Sequence, residues 1–184
     1  MPRNKRPQAR EEKRSEIVAA ARELFIDVGY GSTSMGRIAK AAGVSANTIY
    51  WYYADKDDLL VAVLNAVMAD AWVEFQSVAT APAAERLMWV VWQLRHMSRL
   101  VNTVHSRAEG SPTVAEWHNN FHLLTASLFR FELEQAGASA AAVDAEVMIG
   151  VFAIEGMLMH PLGEEEQRAI CDTLVTRWAL PDRQ

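Results

Sequence analysis

A single cysteine, Cys171, stands in a chain of 184 residues, so no internal disulfide framework can hold the fold, and a reducing compartment suits it. Glycine and proline are sparse, at 9 and 6 positions, which excludes collagen-like and low-complexity readings. Long apolar runs are missing too. The longest, from Val147 to Met159, is broken by Glu155 and is too short to span a bilayer. The opening MPRNKRPQAREEKR lacks the apolar stretch of a secretory signal. These absences predict a soluble, cytoplasmic chain with no membrane partner. Lysine disappears after Lys56: up to that point ten Lys and Arg face six acids, net +4. Beyond it eight Arg face seventeen acids, net −9. The overall charge of −5 therefore hides a basic segment joined to an acidic one, which suggests two jobs in one chain.

What is present is helical periodicity, with no alternating strand pattern. Ile17, Ala21, Leu24, Phe25 and Val28 fall on one stripe of a first helix, and Gly29 can take the left-handed conformation that ends it. Ser34 caps a short helix through Ala42, stopped by Gly43. Ser45 caps another, running to about Tyr53. A long helix starts near Asp55 and continues to about Ala79. Pro82 opens the next, which runs toward Arg107 with a break near Met97. Ser111 caps a helix in which Val114, Trp117, Phe121, Leu124, Leu128 and Phe131 step as a buried stripe. Gly137 ends it, Ser139 opens the next, and that one stops at His160-Pro161. The last helix follows Gly163, its Glu164, Glu165 and Glu166 placed where the helix dipole favours negative charge. The fold class is all-α, about nine helices, in two domains: 1–55 with a basic N-terminal arm, and 56–184.

Function is most legible at Gly43-Val44-Ser45. A glycine turn between two short helices is the geometry of a helix-turn-helix. Ile38, Ala39, Val44, Ile49 and Tyr50 can pack those helices on each other and on Leu24 and Phe25. That leaves Ser45, Ala46, Asn47, Thr48, Trp51 and Tyr52 on the outer face of the second helix. Such short polar and aromatic groups can approach base edges in a major groove. Thr33, Ser34 and Arg37 begin the preceding helix, where hydroxyls and backbone N–H groups suit a phosphate. Lys56 opposes the dipole of its own helix, and a phosphate contact would explain it. Tyr50 and Arg37 have plainer readings, as a core residue and a solvated charge. The basic residues Arg3, Lys5, Arg6, Arg10, Lys13 and Arg14 either reach a minor groove or form a solubilising end.

From Arg14 to Leu60 the sequence resembles the DNA-binding domain of TetR-type transcriptional regulators. The likeness rests on Gly29-Tyr30, Ile38-Ala39, Gly43-Val44-Ser45, Thr48-Ile49-Tyr50, Tyr52-Tyr53 and the stretch from Lys56 to Leu60. Asn47 stands where many members have a small residue, and Tyr53 where Phe is usual. The resemblance implies a homodimer that binds operator DNA, usually as a repressor, and releases it when a small molecule occupies the C-terminal domain. It implies base-edge contacts from Ser45, Ala46, Asn47, Thr48 and Trp51, and phosphate contacts from Tyr50, Tyr52, Lys56, Thr33, Ser34 and Arg37.

The second domain is rich in aromatics and methionine, which at helical spacing serve as core or line an apolar pocket. Met88, Trp92 and His96 lie four apart on one helix; Trp117 and Phe121 share another, and Glu155 interrupts an apolar helix. These six are the candidate ligand-binding residues, for an apolar or aromatic effector. A buried Glu155 requires a partner. His118 and His122 have a zinc-compatible spacing, but lack further ligands, and are read as structural; no metal or cofactor is expected. Val147, Gly150, Ile154, Met157 and Leu158 nearly encircle one helix, and Ile170, Leu174 and Trp178 stripe the next. An intersubunit four-helix bundle would bury them; burial within one chain is the competing reading. No nucleophile–base pair, metal cluster or phosphate loop supports an enzyme. The alternative to a ligand-responsive repressor is a constitutive DNA-binding regulator with a filled core.

Overall fold

The computed structural model describes residues 5–135 and 140–178. Among them nine helices are assigned: α1 (Lys5–Asp27), α2 (Met35–Ala41), α3 (Ala46–Tyr50), α4 (Lys56–Phe75), α5 (Ala83–His96), α6 (Ser98–Ala108), α7 (Pro112–Gln135), α8 (Ala140–Met159) and α9 (Glu164–Trp178). The helix boundaries follow from local chemistry. Gly29, at φ 92°, and Gly43, at φ 64°, occupy the left-handed region that L-residues avoid. Asp55 caps α4 by accepting from the Asp58 N–H at 2.9 Å. Ser111 accepts from Val114 N at the start of α7, and Glu166 reaches back to Gly163 N at 2.8 Å to begin α9. The expected break at Met97 separates α5 from α6. Two helices are shorter than their periodicity suggests, with α3 ending at Tyr50 and α4 at Phe75. Gly137 and Ser139 lie outside the described residues, as does Arg3.

The chain forms two compact units: residues 1–70 with 99–118, and residues 71–98 with 119–184. In the first, Ile17, Ala21 and Phe25 of α1, Ile38 and Ala39 of α2, and Ile49 of α3 are buried. They are joined by Leu59, Leu60 and Val63 of α4 and by Leu100 and Val104 of α6. Each such aliphatic contributes about 1.5–3 kcal/mol on full burial. Two arginines tie α6 to the helices before it. Arg99 donates to the carbonyls of Ile26 (3.0 Å) and Asp27, satisfying the end of α1. Arg107 grips Asp57 at the start of α4 through two hydrogen bonds.

In the second unit α5, α7, α8 and α9 share one core, built from Leu87, Val91, Leu133, Val143, Val147, Ile154, Met157, Cys171, Leu174 and Trp178. Most of the α8 and α9 residues expected at a dimer interface are already covered within this chain. Val147, Gly150, Ile154, Met157, Leu174 and Trp178 are buried within the chain, and Leu158 and Ile170 pack half-buried against the same core. Gly150 permits a close approach inside the chain: a Cβ there would meet Trp178 at 3.4 Å and Phe129 at 3.6 Å. The apolar residues left in solvent are others, Met148, Ile149, Phe152 and Met159 on α8 and Leu123, Leu124, Leu128 and Phe131 on α7. The expected buried stripe of α7 is thus interrupted, because Phe129 and Leu133 turn inward while Leu124, Leu128 and Phe131 turn out.

Candidate DNA-reading surface

The turn between α2 and α3 is shaped by Gly43, whose positive φ lets Val44 N reach back to Ala39 O at 2.9 Å. Ser34 caps α2, accepting from Arg37 N at 3.2 Å. Ser45 caps α3, accepting from Thr48 N at 3.2 Å and pairing hydroxyl to hydroxyl with Thr48 at 2.8 Å. Ile49 anchors α3 in the core with no exposed surface. Its neighbours form an open face: Ser45, Ala46, Asn47 and Tyr50 are exposed, Thr48 and Tyr52 half-buried, and Trp51 is 83% exposed. Tyr50 is therefore not a core residue, at 54% exposure. Tyr53 is the aromatic that turns inward, where its hydroxyl accepts from Arg14 Nε at 3.3 Å.

Two of the phosphate candidates already have partners within the chain. Thr33 is buried, and its hydroxyl donates to Gly29 O at 2.9 Å, so that side chain serves the end of α1 and not a ligand. Lys56 donates to Tyr30 O and Thr33 O, both at 3.0 Å, with its ammonium 4.0 Å from the Tyr30 ring centre. Two carbonyls and an aromatic face account for a lysine at a helix start without a phosphate. Burial pushes its ammonium below the usual lysine range, with the nearby Arg107 charge acting in the same direction against Asp57. Ser34 and Arg37 remain on the surface.

Sequence inspection missed a polar network in the same unit. Asp57 accepts from Arg107 Nε at 3.1 Å and Nη2 at 2.5 Å, and from the Tyr30 hydroxyl. Burial pushes its carboxyl up, but hydrogen bonds from Arg107, Tyr30 and Ser111 outweigh that and hold it below the ordinary aspartate range. Burial, followed by the Asp57 hydrogen bond, raises the Tyr30 phenol. Fifty residues separate Asp57 from Arg107, so no local pattern could have joined them. The basic segment was misread in another way. From Lys5 onward it forms the first turns of α1, which places Arg10 over the ring of Tyr52 and Arg14 over that of Tyr53, each 5.9 Å from the ring centre. A groove of about 640 Å³ between α1 and α4 has Glu11, Arg14, Arg22, Glu23 and Asp27 in its walls, the chemistry of a solvated cleft.

The candidate ligand residues are scattered. Met88 packs on the core of the second unit, while Trp92 and His96 are exposed and lie against each other, ring centres 3.8 Å apart. Of these three candidates, two therefore face solvent in the single chain. Trp117 belongs to the first unit and donates its indole N–H to Asn65 at 2.9 Å. Phe121 is half-buried beside His122. Glu155 finds its partner in His122, 3.7 Å away. Among the described residues, no group of three or more His, Cys, Asp or Glu side chains is placed to hold a metal. Nor is any helix long and apolar enough to cross a membrane.

Residues 17–63, spanning α1 to the first turns of α4, match the family model described as bacterial regulatory proteins, tetR family. Over this stretch the chain is similar to the TetR family. The chain is also similar to the transcriptional regulator HbdR of Aromatoleum sp. (strain CIB), 39% identical over 88 residues, or 47% of this chain and 38% of HbdR. It is also 49% identical over 55 residues to the regulator AcrR of Shigella flexneri, covering 30% of this chain and 26% of AcrR. These matches thus span well under half of each curated relative. The TetR-like fold extends further than the sequence likeness. A putative transcriptional regulator from Saccharomonospora viridis, solved in complex with choline, superposes with a TM-score of 0.74 at 18% identity, over 90% of this chain and 96% of that one.

Proposed function

We propose that this chain is a ligand-responsive transcriptional regulator, a repressor that binds palindromic operator DNA as a homodimer in the cytoplasm. It is released from DNA by an apolar or aromatic small molecule. The observation that carries the reading is the outer face of α3, where Ser45, Ala46, Asn47, Thr48, Trp51 and Tyr52 project from a helix anchored by Ile49. Trp51 at 83% exposure costs the isolated chain apolar hydration that a base edge or thymine methyl would relieve. Residues 1–55 supply the reader, and residues 56–184 the effector and dimer functions.

Dimerisation is supported by the apolar surface that α7 and α8 leave uncovered. Met148, Ile149, Phe152 and Met159 form one stripe of α8; Leu124, Leu128 and Phe131 form one of α7. Gly156 lies on that α8 stripe, and a Cβ there would meet nothing within 4 Å, which leaves room for a helix of a second copy. Exposed apolar residues clustered on one helix face mark interaction sites. The twofold would set two α3 helices about 34–36 Å apart, one turn of DNA. An effector acts by binding better to the form that does not fit that spacing. The neighbour from Saccharomonospora viridis is solved in complex with choline, which supports a small-molecule effector. In this chain Phe121 and the Glu155–His122 pair are the candidates that remain grouped.

Fluorescence anisotropy with a labelled duplex tests the reading. Thr48→Ala and Trp51→Ala should each weaken binding at least several-fold while leaving the helical circular dichroism and the dimer unchanged. Equal affinity for wild type and both variants would remove α3 from the interface. A thermal-shift screen with apolar and aromatic compounds separates the sensor from a constitutive regulator, for which no compound should raise the melting temperature.

A further inference from the structure

The first turns of α1 bring basic residues to the end of α3. Arg10 and Arg14 are one helical turn apart and therefore share a face. Where the chain leaves α3, Tyr52 and Tyr53 follow each other, and the two guanidinium groups stand over the two rings in register, at 5.9 Å each. The pairs are not equivalent. Tyr53 is buried, its hydroxyl bonded by Arg14, and Glu11 also acts on that arginine. Arg14 thus fastens α1 to the end of the reader. Arg10 is exposed over a half-exposed ring, and the ion pair of the next turn is made by Lys13 with Glu16 instead. An arginine stacked on an aromatic face keeps its planar fork of donors available for a bidentate acceptor.

Resting on the DNA-reading function above, we propose that Arg10, positioned by Tyr52, is a phosphate-binding residue that carries the DNA interface from α3 onto α1. The helical state of this segment decides which part of the duplex it meets. A helix about 10–12 Å across does not enter a minor groove about 6 Å wide, so Arg10 meets the phosphate ridge beside the major groove that α3 occupies. Because a backbone contact carries no sequence information, its loss changes affinity and salt dependence, not sequence preference.

The whole 184-residue chain is titrated into a labelled duplex, selected by it from random sequence, at about 50–200 mM salt. Each phosphate contact contributes about 0.9 to the slope of log K against log salt, and a dimer loses two. Arg10→Ala should therefore flatten the slope by about 1.8, so that the wild-type advantage shrinks roughly tenfold across this range. Arg10→Lys should keep the wild-type slope, Arg10→Gln should follow Arg10→Ala, and Tyr52→Phe should keep the slope because the ring persists. Circular dichroism melts confirm that each variant is folded. An Arg10→Ala slope equal to wild type, in a wild type that binds, overturns the phosphate contact and leaves the reader standing. A wild type with no salt-dependent duplex binding overturns both.

Discussion

Replacing Asp57 by Asn should cost more than its position in the first turn of a helix suggests. Its carboxylate is 12% exposed and accepts a bidentate grip from Arg107, itself 39% exposed, together with the Tyr30 hydroxyl. The amide keeps one acceptor oxygen but turns an N–H group toward the guanidinium, setting donor against donor. Hydrogen bonds to a charged group are worth about 1.5–3 kcal/mol each, and the exposure of Arg107 lowers the pair toward the small end of that range. Allowing for the bonds that Asn retains, the expected loss is about 2 kcal/mol at pH 7. With a urea m-value of about 2 kcal/mol/M, the midpoint falls by about 1 M, measured at fixed protein concentration because dimerisation shifts it. The pH dependence has a definite sign. The folded carboxyl is held below its unfolded value, which is near 3.9, so its stabilisation is complete above that value and disappears as pH falls through the folded pKa. The wild-type advantage over Asp57→Asn should therefore be largest at pH 6–7 and shrink toward pH 3. A deficit below about 0.5 kcal/mol at pH 7, or one that stays constant down to pH 3, would refute the role given to this network.

Charge on the uncovered apolar stripe should break the dimer and not the fold: Phe152, 60% exposed, changed to Glu should give a helical monomer in analytical ultracentrifugation, and a variant that stays dimeric would move the interface elsewhere. Ile154→Glu, 8% exposed in the chain's own core, should instead unfold the second unit, which separates the two faces of α8. Burial, followed by the charge of Asp172, pushes the Cys171 thiol up to about 11, so at pH 8 Ellman's reagent should react only at the rate of unfolding, and rapid native labelling would contradict the packing of α9.

Most of the helical pattern was readable because each boundary carried its own local chemistry: Gly29 and Gly43 for positive φ, Ser34, Ser45 and Ser111 as caps, and Met97 at the break. The direction in which an apolar residue points was less readable. α8 is apolar on nearly every side, so its sequence does not distinguish the stripe of Val147, Ile154 and Met157, which the chain buries, from that of Met148, Ile149 and Phe152, which it leaves out. Periodicity marks a face only when the opposite face is polar. Polar pairs joined across long stretches of chain were also hidden. Lys56 seemed to need a phosphate because its partners are backbone carbonyls at positions 30 and 33, and main-chain acceptors leave no mark on a sequence. The same holds for Thr33, whose hydroxyl is used by α1. In contrast, most of the open face of α3 was legible, Tyr50 excepted, since one buried residue, Ile49, fixes which way its neighbours point.

The account's central claim is that two copies of this α3 face read DNA in successive major grooves. In vitro selection with this chain from a random duplex library tests it most directly. The prediction is an enriched inverted repeat whose half-sites lie about one helical turn, or a whole multiple of it, apart, with enrichment lost on substituting Asn47, Thr48 and Trp51 together by Ala. A selection that converges on no sequence, or one whose enriched repeat survives that triple substitution, would contradict it.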